Sequence, residues 1–218
     1  MHVIYSDMMV APAQGSSPSA AKPRPVVEAW IAQDPDIRIV PPKPVTIDDF
    51  ARAHERAFVE QVFALRIANG FGTRSSDVNK SLPYTTGAML TAAQIALTQK
   101  TAVAAPVSGF HHARWNEAAA YCTFNGLIVT AMALRAEHPQ LRVGILDYDY
   151  HYGDGTEDII HRLGLSWITH YTAGQKYLYP EQAETFLNAI PEHVSRMANC
   201  DVVLYQAGAD PHIDDPLG

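Results

Sequence analysis

The sequence predicts a three-layer α/β/α fold on a mainly parallel sheet, and three observations predict it. From residue 101 to residue 206, short apolar runs alternate with stretches of helical length and helical periodicity. The run Val143-Gly144-Ile145-Leu146 is continuously apolar, the pattern of a strand covered on both faces. The 218 residues, 47% hydrophobic and 18% charged, suit one globular domain with a sizeable core. Residues 1–218 are therefore read as a single domain.

Residues 2–5 read as a first strand, and the Pro, Ser, Gly and Ala of residues 11–25 as a loop. Pro25 can open a helix through Val26, Val27 and Trp30. A second strand, 38–40, is closed by Pro41-Pro42. Thr46 is an N-cap candidate, and Asp48 and Asp49 fall in the first turn, where the helix dipole favours acids. Phe50, Ala53, Ala57, Val59, Val62, Phe63 and Leu65 continue one amphipathic helix, which Asn69-Gly70-Phe71-Gly72 ends. Residues 73–83 read as polar loop and 85–98 as an alanine-rich helix. The alternation then runs strand 101–105, helix 117–137, strand 141–150, helix 156–163, strand 166–169, helix 180–198 and strand 201–206. In such sheets ligands bind at the carboxyl ends of the strands.

Composition narrows the function classes. The net charge is −7, from 16 basic and 23 acidic residues, with no Lys/Arg cluster, which argues against direct nucleic-acid binding. No apolar run reaches the 18 residues of a membrane span. The N-terminus lacks a basic segment followed by an apolar one, so a cytoplasmic location is expected. Cys122 and Cys200 form no C-x-x-C pair and are expected to be reduced thiols.

Three strand ends carry the chemistry. After Val143-Gly144-Ile145-Leu146 come Asp147, Asp149 and His151, spaced to share one face if the strand continues. Buried together they would be costly without a partner, and a divalent cation supplies one; an exposed strand end with ordinary polar residues is the alternative. Asp210 lies just past the strand 201–206, where it can join Asp149 and His151. Two carboxylates and one imidazole balance a dication and leave coordination positions open. That set suits Zn²⁺ and also Fe²⁺, Co²⁺ or Mn²⁺. Asp214 and Asp215 read as solvated loop carboxylates. His111-His112 follow the strand 101–105 and make an acid/base pair if they converge with the other two strand ends.

Four segments then occur in a telling order: Gly109-Phe110-His111-His112-Ala113, Tyr121-Cys122-Thr123-Phe124-Asn125, Leu146 through Thr156, and Ala207-Gly208-Ala209-Asp210-Pro211 continuing through Asp214-Asp215-Pro216-Leu217-Gly218. In order and spacing they resemble the motifs of the histone deacetylase / acetylpolyamine amidohydrolase family, within the arginase/deacetylase fold. His54, in the first long helix, is similar as well. The resemblance implies a hydrolase that removes acyl groups from lysine side chains or polyamines. It implies Zn²⁺ on Asp149, His151 and Asp210, with His112 as general base and His111 beside it in an electrostatic or acid role. Asp154 and Asp147 would orient the two histidines. A K⁺ site would be bordered by Asp147, Asp149, His151 and Thr169, and Gly109 and Tyr121 would wall the acyl tunnel. A homodimer is compatible with it.

The sequence departs from the family pattern in two ways. The family carries a tyrosine in a Gly-rich loop well past the third ligand, but this sequence ends at Gly218, eight residues after Asp210. No catalytic tyrosine is therefore assigned. The last strands and helices of the family's sheet are expected to be missing, as in a fragment or a natural truncation. Tyr152 stands where many relatives have a second histidine and is expected to face away from the metal. Two other readings stay open: an acyl-ligand and metal-binding module with little turnover, and an arginase-like ureohydrolase with two Mn²⁺ ions. The latter lacks a close Asp-x-His-x-Asp arrangement. Substrate choice among acetyl-lysine, acetylpolyamine and other amides rests with loops 11–25 and 71–83.

Overall fold

The computed structural model describes residues 1–14, 17–212, 214 and 215. The last three residues of the fourth motif, Pro216, Leu217 and Gly218, lie outside the described residues. In chain order the elements are β1 (His2–Ile4), α1 (Pro23–Gln33), β2 (Arg38–Val40), α2 (Ile47–Phe50), α3 (Arg56–Phe63), α4 (Ser76–Gln99) and β3 (Val103–Ala104). There follow α5 (Gly126–Glu137), β4 (Val143–Asp147), α6 (Asp154–Leu163), β5 (Ile168–Thr172), α7 (Ala183–Ser195) and β6 (Val202–Gln206).

All strand pairings are parallel, as the alternation predicts, but among the described residues they form two sheets of three strands, β2-β1-β3 and β5-β4-β6. Every residue of β4 is buried, so helices and neighbouring strands cover both of its faces. Asp147 ends β4 level with Thr172 of β5 and Gln206 of β6. The loops after these three strands thus leave the sheet along one carboxyl edge, and the site lies there. One apolar core runs from Ala11 to Leu204. At its centre Phe124 meets Phe50 at 4.5 Å between ring centroids, and Phe58 and Phe63 at 5.6 Å each.

Several elements differ from the sequence-based expectation, among them β5, expected over 166–169 but running Ile168–Thr172. The helix expected from Thr46 onward is two helices, α2 and α3. Glu55, with ψ 124°, breaks it, and its N–H donates to the carbonyl of Trp115 instead of to a helical partner. The stretch 73–83 is not loop: the Ser75 hydroxyl accepts from the N–H of Val78 and α4 runs straight through Pro83. Burial of Val78 and Leu82 in the core outweighs the hydrogen bond the proline removes. The helix expected from residue 117 begins only at Gly126. Residues 114–122 are folded into two tight bridges, Arg114 with Glu117 and Ala119 with Cys122, with Ala120 (φ 41°) and Tyr121 (φ 66°) in left-handed conformation.

The strand expected to reach Tyr150 stops at Asp147, which removes the shared strand face as the reason for the Asp147/Asp149/His151 spacing. Instead, Asp147 Oδ1 accepts the N–H of Asp149 at 3.1 Å, and Asp149 Oδ1 accepts the N–H of His151 at 3.0 Å. Each aspartate takes the backbone donor two residues on, so two successive Asx turns replace the ladder.

Phe124→Ala is expected to lower the unfolding free energy in urea titration by about 3–5 kcal/mol. A loss below about 1 kcal/mol would show that this ring cluster is not the centre of the core.

Candidate active site

The loop after β4 and the loop after β6 bring together three side chains that could hold a metal ion. Atoms of Asp149, His151 and Asp210 lie within 4.8 Å of one another, the one such group of three among the described residues. His151 Nδ1 faces both carboxylates, 2.7 Å from Asp210 Oδ2 and 3.4 Å from Asp149 Oδ1. Asp210 is also fixed from the backbone: its Oδ1 accepts the N–H of Tyr150 at 3.0 Å. Gly208 lies so close against Asp149 that a side chain there would displace it.

Burial pushes the Asp149 carboxyl up to about 6, and the neighbouring Asp210 charge adds to that, with the nearby His111 opposing. Burial also acts against the charge on Asp210, but the Tyr150 N–H and the Asp149 and His151 side chains hold it below the usual carboxylate range. Two acids with opposite shifts at one spot are a surplus of negative charge that a cation would relieve. The donor set fits a divalent ion: two oxygens and one nitrogen, no thiolate, and a His151 side chain 41% exposed toward solvent.

The predicted histidine pair comes from the loop after β3, which belongs to the other sheet, and still reaches this edge. His111 Nδ1 donates to Asp147 Oδ2 at 2.8 Å, and its Nε2 sits 3.6 Å from Asp149 Oδ1. His112 Nδ1 donates to Asp154 Oδ1 at 2.8 Å. The two imidazoles are 4.1 Å apart between centroids, and His112 is 6.0 Å from His151. In neutral His112 this leaves Nε2 as the free lone pair. Burial disfavours charge on both rings. For His111 the carboxylates of Asp147, Asp149 and Asp210 overcome it and raise the pKa. For His112 the repulsion of His111 adds to burial, and the pKa falls despite Asp154. Adjacent residues with pKa values moved apart are suited to opposite proton roles.

Several participants were not singled out from sequence. Arg114 Nη2 donates to Asp154 Oδ2, so that carboxylate is shared between Arg114 and His112. Burial would raise Asp154, but these two partners hold it low. Arg114 sits two residues past His112, and that adjacency was the signal available. Thr169, expected at a cation site, pairs with Gly144 in the β4–β5 ladder. That is three residues, roughly 10 Å, from the level of Asp147. The threonine level with Asp147 is Thr172, whose hydroxyl accepts the N–H of Gly153 at 3.1 Å. The structure thus groups Asp147, Asp149 and His151 but not Thr169. Gly109 and Tyr121 line one crevice together with Phe71 and Phe124, and the Tyr121 N–H is tied to the carbonyl of Gly70 at 2.9 Å. Asp214 is 88% exposed, as expected of a solvated loop acid. Cys122 and Cys200 are unpaired, and burial pushes the Cys122 thiol up to about 12.

A family model described as the histone deacetylase domain matches residues 24–186. The chain belongs to the histone deacetylase domain family. Among similar curated proteins, histone deacetylase 8 of Xenopus tropicalis is 24% identical over 224 residues, covering 84% of this chain and 60% of its own length. The acetoin utilization protein AcuC of Staphylococcus aureus (strain COL) is 26% identical over 223 residues, covering 83% of this chain and 57% of its own. The chain thus spans about three-fifths of these two relatives. Among solved structures, the crystal structure of the HDA15 HD domain superposes with a TM-score of 0.81 at 18% identity, over 100% of this chain and 75% of that one. The deacetylase-domain fold, a layered α/β/α arrangement on parallel strands, is therefore the fold of this chain. Among the described residues no helix is long and apolar enough to cross a membrane.

Two buried histidines give this deacetylase-family domain a pH signature. Burial lowers His54 and His170 to about 4 each. Both rings stay neutral when folded and take up protons once exposed. The unfolded chain therefore binds more protons between about pH 4 and 6.5, and stability falls as pH drops through that window. Each ring contributes up to about 3 kcal/mol. His111, raised instead, opposes this: its contribution is full below the ordinary histidine pKa and fades as pH rises above it. Urea denaturation from pH 7 to pH 5 is expected to show falling stability, with a shallower slope in His170→Asn. A slope unchanged by that substitution would mean that His170 is not held neutral in the fold.

Proposed function

We propose that residues 1–218 form one domain of a metal-dependent amide hydrolase that removes acetyl or other acyl groups from lysine side chains or polyamines. The observation that carries this reading is convergence: two imidazole–carboxylate pairs, His111–Asp147 and His112–Asp154, meet the Asp149/His151/Asp210 group at one sheet edge. Family membership and the similarity to histone deacetylase 8 and AcuC support the substrate class.

In this reading Asp149, His151 and Asp210 hold one divalent ion, Zn²⁺ in the first instance, with Fe²⁺ or Co²⁺ as alternatives. When bound it supplies Lewis acidity, polarising the acyl carbonyl and making water more acidic. His112, kept neutral by burial and by its neighbour, accepts the water's proton at Nε2 while Asp154 holds its Nδ1–H. His111, held to Asp147 through Nδ1, stabilises developing negative charge and can return a proton to the leaving amine. Gly109 and Tyr121 line the approach of the acyl chain. Asp147, Asp149 and His151 border a K⁺ site; Thr169, also expected there, pairs with Gly144 rather than with Asp147.

Elemental analysis of the loaded protein is expected to give one divalent ion per chain, lost in Asp149→Asn and Asp210→Asn. Acetate release from an acetyl-lysine peptide or an acetylpolyamine is expected to stop on chelation and to fall about 10²–10⁴-fold in His112→Ala. Turnover unchanged in His112→Ala removes the role given to that ring. Two metal ions per chain would favour a ureohydrolase, and tight hydroxamate binding without acetate release a binding module.

A further inference from the structure

His54 is almost wholly buried, and both of its ring nitrogens are engaged by parts of the chain far from it in sequence. Nδ1–H donates to the carbonyl of Arg114 at 2.9 Å, with that of Trp115 at 3.3 Å. Nε2 accepts the backbone N–H of Asn125 at 2.9 Å. This requires the neutral Nδ1–H tautomer, since a second ring proton would point at another N–H. The bonds continue beyond the ring. The Asn125 side chain caps α5 by accepting from Ile128, while its Nδ2 donates to the carbonyl of Ala113 at 3.3 Å and to Thr156 Oγ1 at 3.0 Å. The N–H of Thr156 donates to the carbonyl of His111 at 2.9 Å, and the N–H of Glu55 to that of Trp115, also at 2.9 Å.

The carbonyls of His111, Ala113, Arg114 and Trp115 are therefore all held from outside the segment. They are held by residues of the α2–α3 turn, the start of α5 and the first turn of α6. The segment itself contains no regular secondary structure that could fix the direction of the two imidazoles.

We propose that His54 is a positioning residue. Through the Nδ1–H bonds to the carbonyls of Arg114 and Trp115 it sets the backbone from which His111 and His112 reach Asp147 and Asp154. The proposal rests on the proton roles given to His111 and His112 above, but the geometry it predicts can be measured without turnover. It also accounts for the break between α2 and α3: a continuous helix would carry residue 54 past the loop, whereas the turn delivers its ring into it. The ring contacts of His54 with Phe124 (5.3 Å) and Phe58 (5.9 Å) are a packing function that a phenylalanine could serve.

Three variants of the full 218-residue chain separate the possibilities. His54→Phe keeps a ring but neither nitrogen. His54→Asn places an amide donor near Nδ1, toward Arg114, and His54→Gln an oxygen acceptor near Nε2, toward Asn125. In His54→Phe the amides of residues 111–116 are expected to exchange faster, and the ¹⁵N shifts of the His112 imidazole to move as its bond to Asp154 loosens. His54→Asn is expected to restore both and His54→Gln to restore neither. In acyl hydrolysis, kcat in His54→Phe is expected to fall about 10- to 100-fold at unchanged KM, with recovery in His54→Asn. Parent-like exchange and ¹⁵N shifts in folded His54→Phe would overturn the proposal, as would equal behaviour of the Asn and Gln variants. Absence of turnover in the parent chain would count against the hydrolase reading alone, because exchange and ¹⁵N shifts still decide the role of His54.

Discussion

The carboxylate of Asp147 has no access to solvent, and the carboxyl edge of the β5-β4-β6 sheet is organised around that fact. A buried carboxylate must find donors inside the protein. Oδ2 takes the Nδ1–H of His111 and Oδ1 the N–H of Asp149. The first bond anchors a ring that arrives from the other sheet. The second turns the chain out of β4, so that Asp149 repeats the manoeuvre on His151 and the Asp149, His151 and Asp210 group forms in the loop. Gly153 fits this arrangement because a Cβ there would stand 2.5 Å from Asp147 Oδ2. One buried acid thus fixes a histidine, a strand end and the start of the Asp149, His151 and Asp210 group.

Asp154 works under the opposite condition. It is 28% exposed and opens α6, and its two oxygens serve two different partners, His112 and Arg114. The permanent guanidinium charge keeps Asp154 ionised whatever the state of His112. The imidazole therefore always has an acceptor for Nδ1–H, and its Nε2 is always the nitrogen facing out. The low pKa of His112 follows from burial and the repulsion of His111, which the single carboxylate of Asp154 does not overcome, whereas Asp147, Asp149 and Asp210 together overcome burial at His111.

Much of this was legible in the sequence because it depends on local pattern. Parallel strands ending in polar residues placed Asp149, His151 and Asp210 at one edge without reference to any helix, and the motif order pointed to the same residues. What misled was the period of two in Asp147, Asp149 and His151, which strands and successive Asx turns share. The apolar lead-in could not tell where the ladder would stop. Helix boundaries failed where tertiary contacts outweigh propensity. Pro83 lies inside a helix because the core holds the turns on either side. The alanine-rich stretch 117–120 is not helical because the chain must fold back at Ala120 and Tyr121 to meet Gly70. The level of Thr169 depends on inter-strand register, which no single strand carries in its own residues.

Convergence of segments this distant has a thermodynamic condition. The histidine pair and the Asp149, His151 and Asp210 group sit on loops, and each loop buries polar backbone that must be satisfied. The chain meets that condition with side chains of fixed shape: the His54 imidazole, the Asn125 amide and the Thr156 hydroxyl. Their reach is short, so they tolerate little displacement of what they hold. The flexible alternatives, lysine and glutamate, are absent from these bonds. Precision at the site is therefore set by rigid polar groups that touch no substrate, and the order of the loop 110–116 should follow their hydrogen bonds more closely than it follows the bulk of the core around them.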